Sequence, residues 1–597
     1  MSIHNFQITS DFKGYWNKRD KTNIPGGGVL VSGSQNVVST DGENIAIRNG
    51  YTLYGQAAAG VNPVVSSYEW DTYRGVQHAL RSWDDELEFY DSNTSTWVRL
   101  RDSLTAVDFN FAEYWDTTEN QDILLFVNGT SNVFYWSGGT TTFASATGTT
   151  ITKQGVTTWG EQGFLVAGTR QVIIGGITYT YTGGESTTTL TGVTPDPTLG
   201  GHSSGNTVFQ AVRTTANSAI TDLPDTFEND LIAVLDNQVW IGSEENRQVY
   251  VSVVGNYLTF AFATPRLVSQ GALLTLDQTP KAFVVEEEAM YISAGDDFWY
   301  NSQIILSEDL TRESLQIKRL KTTPLQGALS QGAVGKIKNA IVFISNEPTL
   351  DSLGRVENIN TPQSRPISDP IKADFDDYDF TNAHVKFFKN NLYIAVPVES
   401  RLLIYNIEKG FWEAPWILPV RRLAIIGGNL YIHSNAVEET YRLFQGYNDN
   451  ALAINAIAKF NYLNYGERAR KKTHTEWFSE GYIAANTSVT LTLNYELDGS
   501  VAAVAKSITG DTSQNTIFEA SFANPLGGSP LGGEPIGGPT TAAEDINKFR
   551  IIHEMPPLDY YEIQPVYSSN GIDLRWELLA YGSDAVIANK DNFEIKQ

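Results

Sequence analysis

"VQHALRSWDDELEFYDSNTSTWVRL", residues 76–100, contains three strand-like runs separated by two polar turns. The first run stops at Asp84-Asp85, the second closes on Tyr90, and the third opens on Trp97 after "DSNTST". Apolar–polar alternation broken by tight polar turns specifies antiparallel strands laid down in sequence order. The layout returns in "DILLFVNGTSNVFYWSGGTTTF" (122–143), "LIAVLDNQVWIGSEENRQVYVSVVGNYLTF" (231–260) and "NLYIAVPVESRLLIYNIEKGFW" (391–412).

One spacing recurs in all four. Tyr90 and Trp97, Trp136 and Phe143, Tyr250 and Tyr257, and Tyr405 and Trp412 are each seven residues apart. Each first ring closes a strand and each second ring opens the next, so the pair is expected to pack across adjacent strands. Repeated small meanders with a period of roughly 40–50 residues specify a β-propeller. The step from Tyr90 to Trp136 fits one blade, whereas the other steps are longer. The expected fold is therefore all-β: an irregular β-propeller with an inserted small β-domain and a C-terminal β-sandwich-like domain.

The expected organisation runs as follows. Residues 1–50 form an N-terminal arm and first strands, and 51–155 and 219–452 form the two parts of the propeller. Residues 156–218 form the insertion, whose alternating "GTRQVIIGGITYTYTGGESTTTLTGVTPDPT" (168–198) carries Gly turns at 175–176 and 183–184. Residues 453–597 form the sandwich. Within it, "NPLGGSPLGGEPIGGP" (524–539) repeats one phrase three times, with Leu526, Leu531 and Ile536 as the apolar residue of each unit. A pure spacer has no use for those residues, so they are expected to dock on a neighbouring subunit.

Composition narrows the chemistry. The 597 residues are 41% hydrophobic and 18% charged, enough for a large core, and there is no Cys to form disulfides or thiolate metal sites. The start, "MSIHNFQITSDFKGYW", lacks the basic and apolar regions of a signal peptide, and no long apolar run is present. A net charge of −26 argues against gripping nucleic acid, although an acidic wall suits a conduit along which nucleic acid must not stick.

Catalytic signatures are sparse. The histidines, at 4, 78, 202, 384, 433, 474 and 553, are scattered, and His384 and His433 fall in or beside strands as core or rim residues. No phosphate-cradling loop occurs. Asp374, Asp376, Asp377 and Asp379 in "DFDDYDF" read first as a solvated acidic loop and second as a Ca²⁺ site, alternation placing pairs of them on one edge. The one concentrated basic patch, Arg468, Arg470, Lys471 and Lys472 in "GERARKKTH", has three readings: a subunit contact, an exposed face or a phosphate contact. No cofactor is expected.

Two phrases go further. "SDFKGYWNKRDKTNIPGGGVLVSGSQNVVSTDGENIAIRNGYTLYG" (10–55), running from Gln35-Asn36-Val37 to Arg48-Asn49-Gly50-Tyr51, resembles the N-terminal region of tail nozzle or stabilisation (tail tubular) proteins of short-tailed bacteriophages. "NRQVYVSVVGNYLTFAFATPR" (246–266) is similar to a recurring phrase of the same proteins, with Tyr250, Ser252, Gly255, Tyr257 and Phe260 in its fixed places. "NNLYIAVP" (390–397) followed by "YNIEKGFW" is a third echo. The resemblance implies a propeller-based virion subunit forming a six-fold ring below the portal and adaptor. That ring would retain and then conduct DNA and anchor fibres or spikes, with no catalytic residues. The competing expectation is a glycan-binding or polysaccharide-degrading propeller, with Trp83, Trp240, Trp299 and Trp416 as stacking surfaces.

Overall fold

The structure, a computed structural model, describes residues 3–587 apart from 19–27, 41–43, 58–59, 118, 168–169, 262–269, 287–288, 296, 303–316, 321–325, 338–339, 348, 357–358, 466–469, 475, 486, 498–499 and 511–545. It is all-β except for short helical turns such as Lys372–Asp377. Among the described residues, seven antiparallel sheets, six four-stranded and one five-stranded, follow one another as the blades of a propeller. Their innermost strands are Ser66–Asp71, Asn110–Asp116, Leu231–Leu235, Pro280–Glu286, Val334–Ile337, His384–Phe388 and Arg422–Ile426 (blades 1 to 7).

Each seam between neighbouring blades is filled by an apolar cluster. Trp70, Leu80 and Phe89 of blade 1 pack on Phe126, Phe134 and Trp136 of blade 2. The last seam closes the circle, with Ala424 and Tyr431 of blade 7 against Ala79 and Trp97 of blade 1. A second device completes the ring: the outer strand of blade 7 is Tyr51–Leu53, paired with Thr440–Leu443. The chain thus ties its own beginning to its last blade.

The seven-residue spacing produces two different structures. Tyr90 lies directly opposite Trp97, and Tyr405 opposite Trp412, with ring centroids 5.4 and 5.1 Å apart, as expected of a cross-strand pair. Trp136 and Phe143 instead belong to different cores, because the chain leaves blade 2 between them. Tyr257 follows a turn and packs on Tyr114 and Tyr135 of blade 2, so this pair holds a seam rather than a hairpin.

The excursion from blade 2 runs from Thr140 to Gln210 as one six-stranded sheet, and Arg213–Ala216 then returns to complete the blade. Bridges Thr180–Thr194 and Gly183–Thr191 join its two edge strands, so this sheet closes on itself around Phe143, Trp159, Phe164 and Tyr179. The unit begins earlier than the Gly turns suggest, because Thr140–Thr142 pair with Thr207–Phe209.

Beyond blade 7, a four-stranded sheet (Ile454–Lys459, Glu562–Gly571, Ser488–Leu497, Ser500–Thr509) faces an eight-stranded one. The larger sheet recruits Ile3–Thr9, Val37–Thr40 and Asn44–Ile47 from the N-terminus, and Ile3–Thr9 runs antiparallel to Trp576–Ile587. The N-terminal arm is therefore part of the C-terminal sandwich. The two strands flanking 511–545, Ser500–Thr509 and Ile546–Glu554, belong to different sheets. The Pro-Gly phrase itself, with Leu526, Leu531 and Ile536, lies outside the described residues.

Candidate functional site

At the end where the innermost strands begin, blades 1, 2, 5, 6 and 7, with Glu244 of blade 3, surround a cavity of about 480 Å³. Its charged groups are tied to neighbouring blades. Lys386 Nζ of blade 6 is 2.7 Å from Glu69 Oε2 of blade 1, whose Oε1 accepts from Ile425 N of blade 7 at 2.8 Å. Arg422 Nε donates to Val65 O, and its Nη2 lies 3.3 Å from Asp108 Oδ1. Gln331 clamps the backbone of Phe283 through both amide atoms, at 2.7 and 3.0 Å.

His384 shows the local chemistry. Its Nδ1 accepts from Leu423 N at 3.1 Å, which places the ring proton on Nε2 in the neutral form. Burial, then the cationic Arg422 and Lys386, hold its pKa well below the usual value. His433 is likewise buried and neutral, its Nδ1 2.9 Å from Thr440 Oγ1, and its pKa is pushed down to about 3. Neither ring changes charge near neutral pH. The geometry braces the seams.

A second constellation joins sandwich to propeller. Arg48, fully buried, donates from Nη1 and Nη2 to both carboxylate oxygens of Asp449, at 2.8 and 2.6 Å. Its Nε donates to Asn36 Oδ1 at 2.9 Å, and its guanidinium lies over Trp416 at 5.5 Å. Asn36 in turn donates to Asn455 O and accepts from Ile417 N. Gly50 is required beside it, since a Cβ there would overlap the carbonyl oxygen of Asn448. Glu413 accepts from Ser39 N at 2.7 Å in the same junction.

The described part of the second phrase, 246–261, is also structural. Ser252 Oγ accepts from Val239 N at 2.8 Å and donates to Val253 O at 3.1 Å, and Gly255 takes a φ of +71°. Ser252→Ala leaves the buried Val239 N–H without this partner. It should cost about 1–3 kcal/mol in urea unfolding.

The acidic run is not a strand edge. Lys372–Asp377 is a short helix, which turns Asp374 and Asp376 to different sides and leaves Asp379 beyond its end. Asp374 is buried and accepts from Asn17 Nδ2 and Tyr378 OH at 2.9 and 2.8 Å, burial raising its pKa. Asp376 sits 3.6 Å from Lys372, and Asp379 accepts from the backbone and hydroxyl of Thr381, which lowers its pKa. Among the described residues no group of three His, Cys, Asp or Glu is placed to hold a metal.

Of the basic patch, Arg468 lies outside the described residues. Lys472 is buried, its Nζ donating to the carbonyls of Arg470 and Tyr561 at 2.9 and 2.7 Å, so it holds two strands of its own chain. Arg470 is half-buried and Lys471 exposed. The tryptophans expected to stack on sugars are mostly inaccessible: Trp240 and Trp416 are buried and Trp83 half-buried. Trp299 lies in the strand Asp297–Ser302, outside the residues whose side chains are described.

A scan against protein-family models gives no match, and a search of curated proteins gives none either. Solved structures do match, at low identity. BamB from Moraxella catarrhalis is 11% identical with a TM-score of 0.29, over 64% of this chain and 98% of that one. YCF48 from Cyanidioschyzon merolae is 8% identical with a TM-score of 0.33, over 66% and 98%. Kluyveromyces lactis Hsv2 is 9% identical with a TM-score of 0.24, over 60% and 97%. Such distant likeness says nothing of function, and the propeller assignment rests on the sheet order.

Proposed function

We propose that this chain is a non-enzymatic structural subunit of a short bacteriophage tail. In this reading it forms a ring-shaped, six-fold nozzle below the portal and adaptor, retains and then conducts DNA, and anchors fibres or spikes. One observation carries the reading: the residues behind the N-terminal resemblance, Asn36, Arg48, Gly50 and Tyr51, build the junction between sandwich and propeller. A phrase shared for that reason reflects shared architecture rather than shared surface composition. The charge of −26 adds support, because an acidic wall repels the phosphate backbone and keeps a passage free of binding.

The test is made on particles. Virions banded on a density gradient are expected to contain this protein at a small fixed copy number, with antibody label at the tail end of DNA-filled heads. Recovery of the protein only in the soluble fraction of the lysate would end the proposal.

A further inference from the structure

The cavity at the start of the innermost strands has two unlike sides. Blades 1 and 2 supply Tyr68 and Phe111, half-buried rings stacked 5.0 Å apart at 20°. Phe109 backs them, its ring 5.9 Å from that of Phe111. Blades 5, 6 and 7 supply Gly332, His384, Lys386 and Arg422. At about 480 Å³ the space has the size of a small-molecule pocket.

The polar side has hydrogen-bond donors to spare. Arg422 uses Nε on Val65 O and Nη2 on Asp108, which leaves Nη1 uncommitted. His384 accepts at Nδ1 from Leu423 N, so its Nε2 carries the proton and has no acceptor among the described residues. Neither Nη1 nor Nε2 is among the unpaired polar atoms sealed from solvent. Gly332 lies beside both groups. A Cβ there would stand 2.7 Å from Arg422 Nη1 and 3.6 Å from His384 Cδ2, so glycine leaves the two donors uncovered.

The local charge calls for an anionic acceptor. The whole chain carries −26, yet the charged groups that act on His384 include the cations Arg422 and Lys386, and no carboxylate offsets them at the ring. The nearby carboxylates are already engaged. Glu69, Asp108 and Glu244 lie 2.7, 3.3 and 2.9 Å from Lys386, Arg422 and Lys281. His384 stays neutral near neutral pH, so its Nε2–H remains a donor there.

We propose that this cavity binds a small carboxylic acid with an apolar body, such as an aryl or short alkyl carboxylate. The carboxylate accepts from Arg422 Nη1 and His384 Nε2, and the body packs against Tyr68 and Phe111. Inorganic phosphate has no apolar part to set against the rings. A primary amide of the same shape carries no charge and gains less from the guanidinium. The site is one of binding, and it stands whether or not the chain belongs to a phage tail.

The probes are benzoate, 3-phenylpropionate and hexanoate, their primary amides, and inorganic phosphate, each titrated into the full-length protein by calorimetry. At least one acid should bind about tenfold or more tightly than its amide and than phosphate. Arg422→Gln should weaken that acid by about tenfold or more. Because Arg422 also holds Val65 O, a crystal structure of the unmodified protein with the acid locates the carboxylate independently of this variant. The proposal is overturned if no acid binds, or if the amide or phosphate binds as tightly. It is equally overturned if a folded Arg422→Gln keeps the affinity, or if the carboxylate sits away from Arg422 and His384.

Discussion

Asp449→Ala is expected to cost about 3–5 kcal/mol of stability, the range for stripping one partner from a buried ion pair. Arg48 is completely buried, and both of its terminal nitrogens are committed to Asp449. Removing the carboxylate strands a cation among Trp416, Asn36 and backbone carbonyls that cannot neutralise it. Arg48 and Asp449 sit where the N-terminal strands meet the chain just beyond blade 7. The first loosening should therefore appear at Tyr51–Leu53, the strand that closes the ring. Urea unfolding gives the loss, and hydrogen exchange at residues 51–53 gives its location. Replacing both partners together, Arg48→Met with Asp449→Leu, should recover much of the stability, because no charge is then left unpaired. A loss under 1 kcal/mol for Asp449→Ala would mean that the pair contributes no more than a surface contact.

The propeller was readable because its signal is local. A meander needs only alternation and tight turns, and "SWDDELEF" supplies both within a few residues, with Asp84 in the left-handed conformation that turn requires. The sandwich was only half readable. Its larger sheet is assembled from strands at both ends of the chain, and nothing in "NIAI" (44–47) states that its strand borders one more than five hundred residues away. Seven-residue aromatic spacing failed at Trp136–Phe143 for the same reason, since the chain leaves blade 2 after Trp136 and Phe143 already belongs to the inserted sheet. The acidic run misled through period: its carboxylates were read at the strand repeat of two, but Lys372–Asp377 folds at the helical repeat. Arg48 stood in the resembled N-terminal phrase, but its ion pair with Asp449 and its burial are not written in a single sequence.

Glu413 makes the junction sensitive to pH, and the direction follows from its burial. The carboxyl is buried and its pKa is pushed up from 4.5 to about 8 by desolvation, with the hydrogen bond from Ser39 N pulling the other way. A group whose folded pKa exceeds its unfolded pKa favours the folded state fully below the unfolded value, and that contribution is lost as pH rises through the folded value. The window is therefore pH 4.5 to 8, with stability falling as the solution becomes more alkaline. At about 1.4 kcal/mol per pKa unit, the contribution lost between pH 5 and 9 is about 4 kcal/mol. Glu413→Gln keeps an acceptor for Ser39 N and has no charge to acquire. Set equal to the unmodified protein at pH 5, it should be the more stable of the two by about 4 kcal/mol at pH 9 in urea titrations. Equal pH slopes for the two proteins would show that Glu413 ionises normally in the folded state. The carboxyl links Val37–Thr40 of the sandwich to the segment following Phe411–Trp412 of blade 6, so alkaline loosening begins between the two units rather than inside a blade.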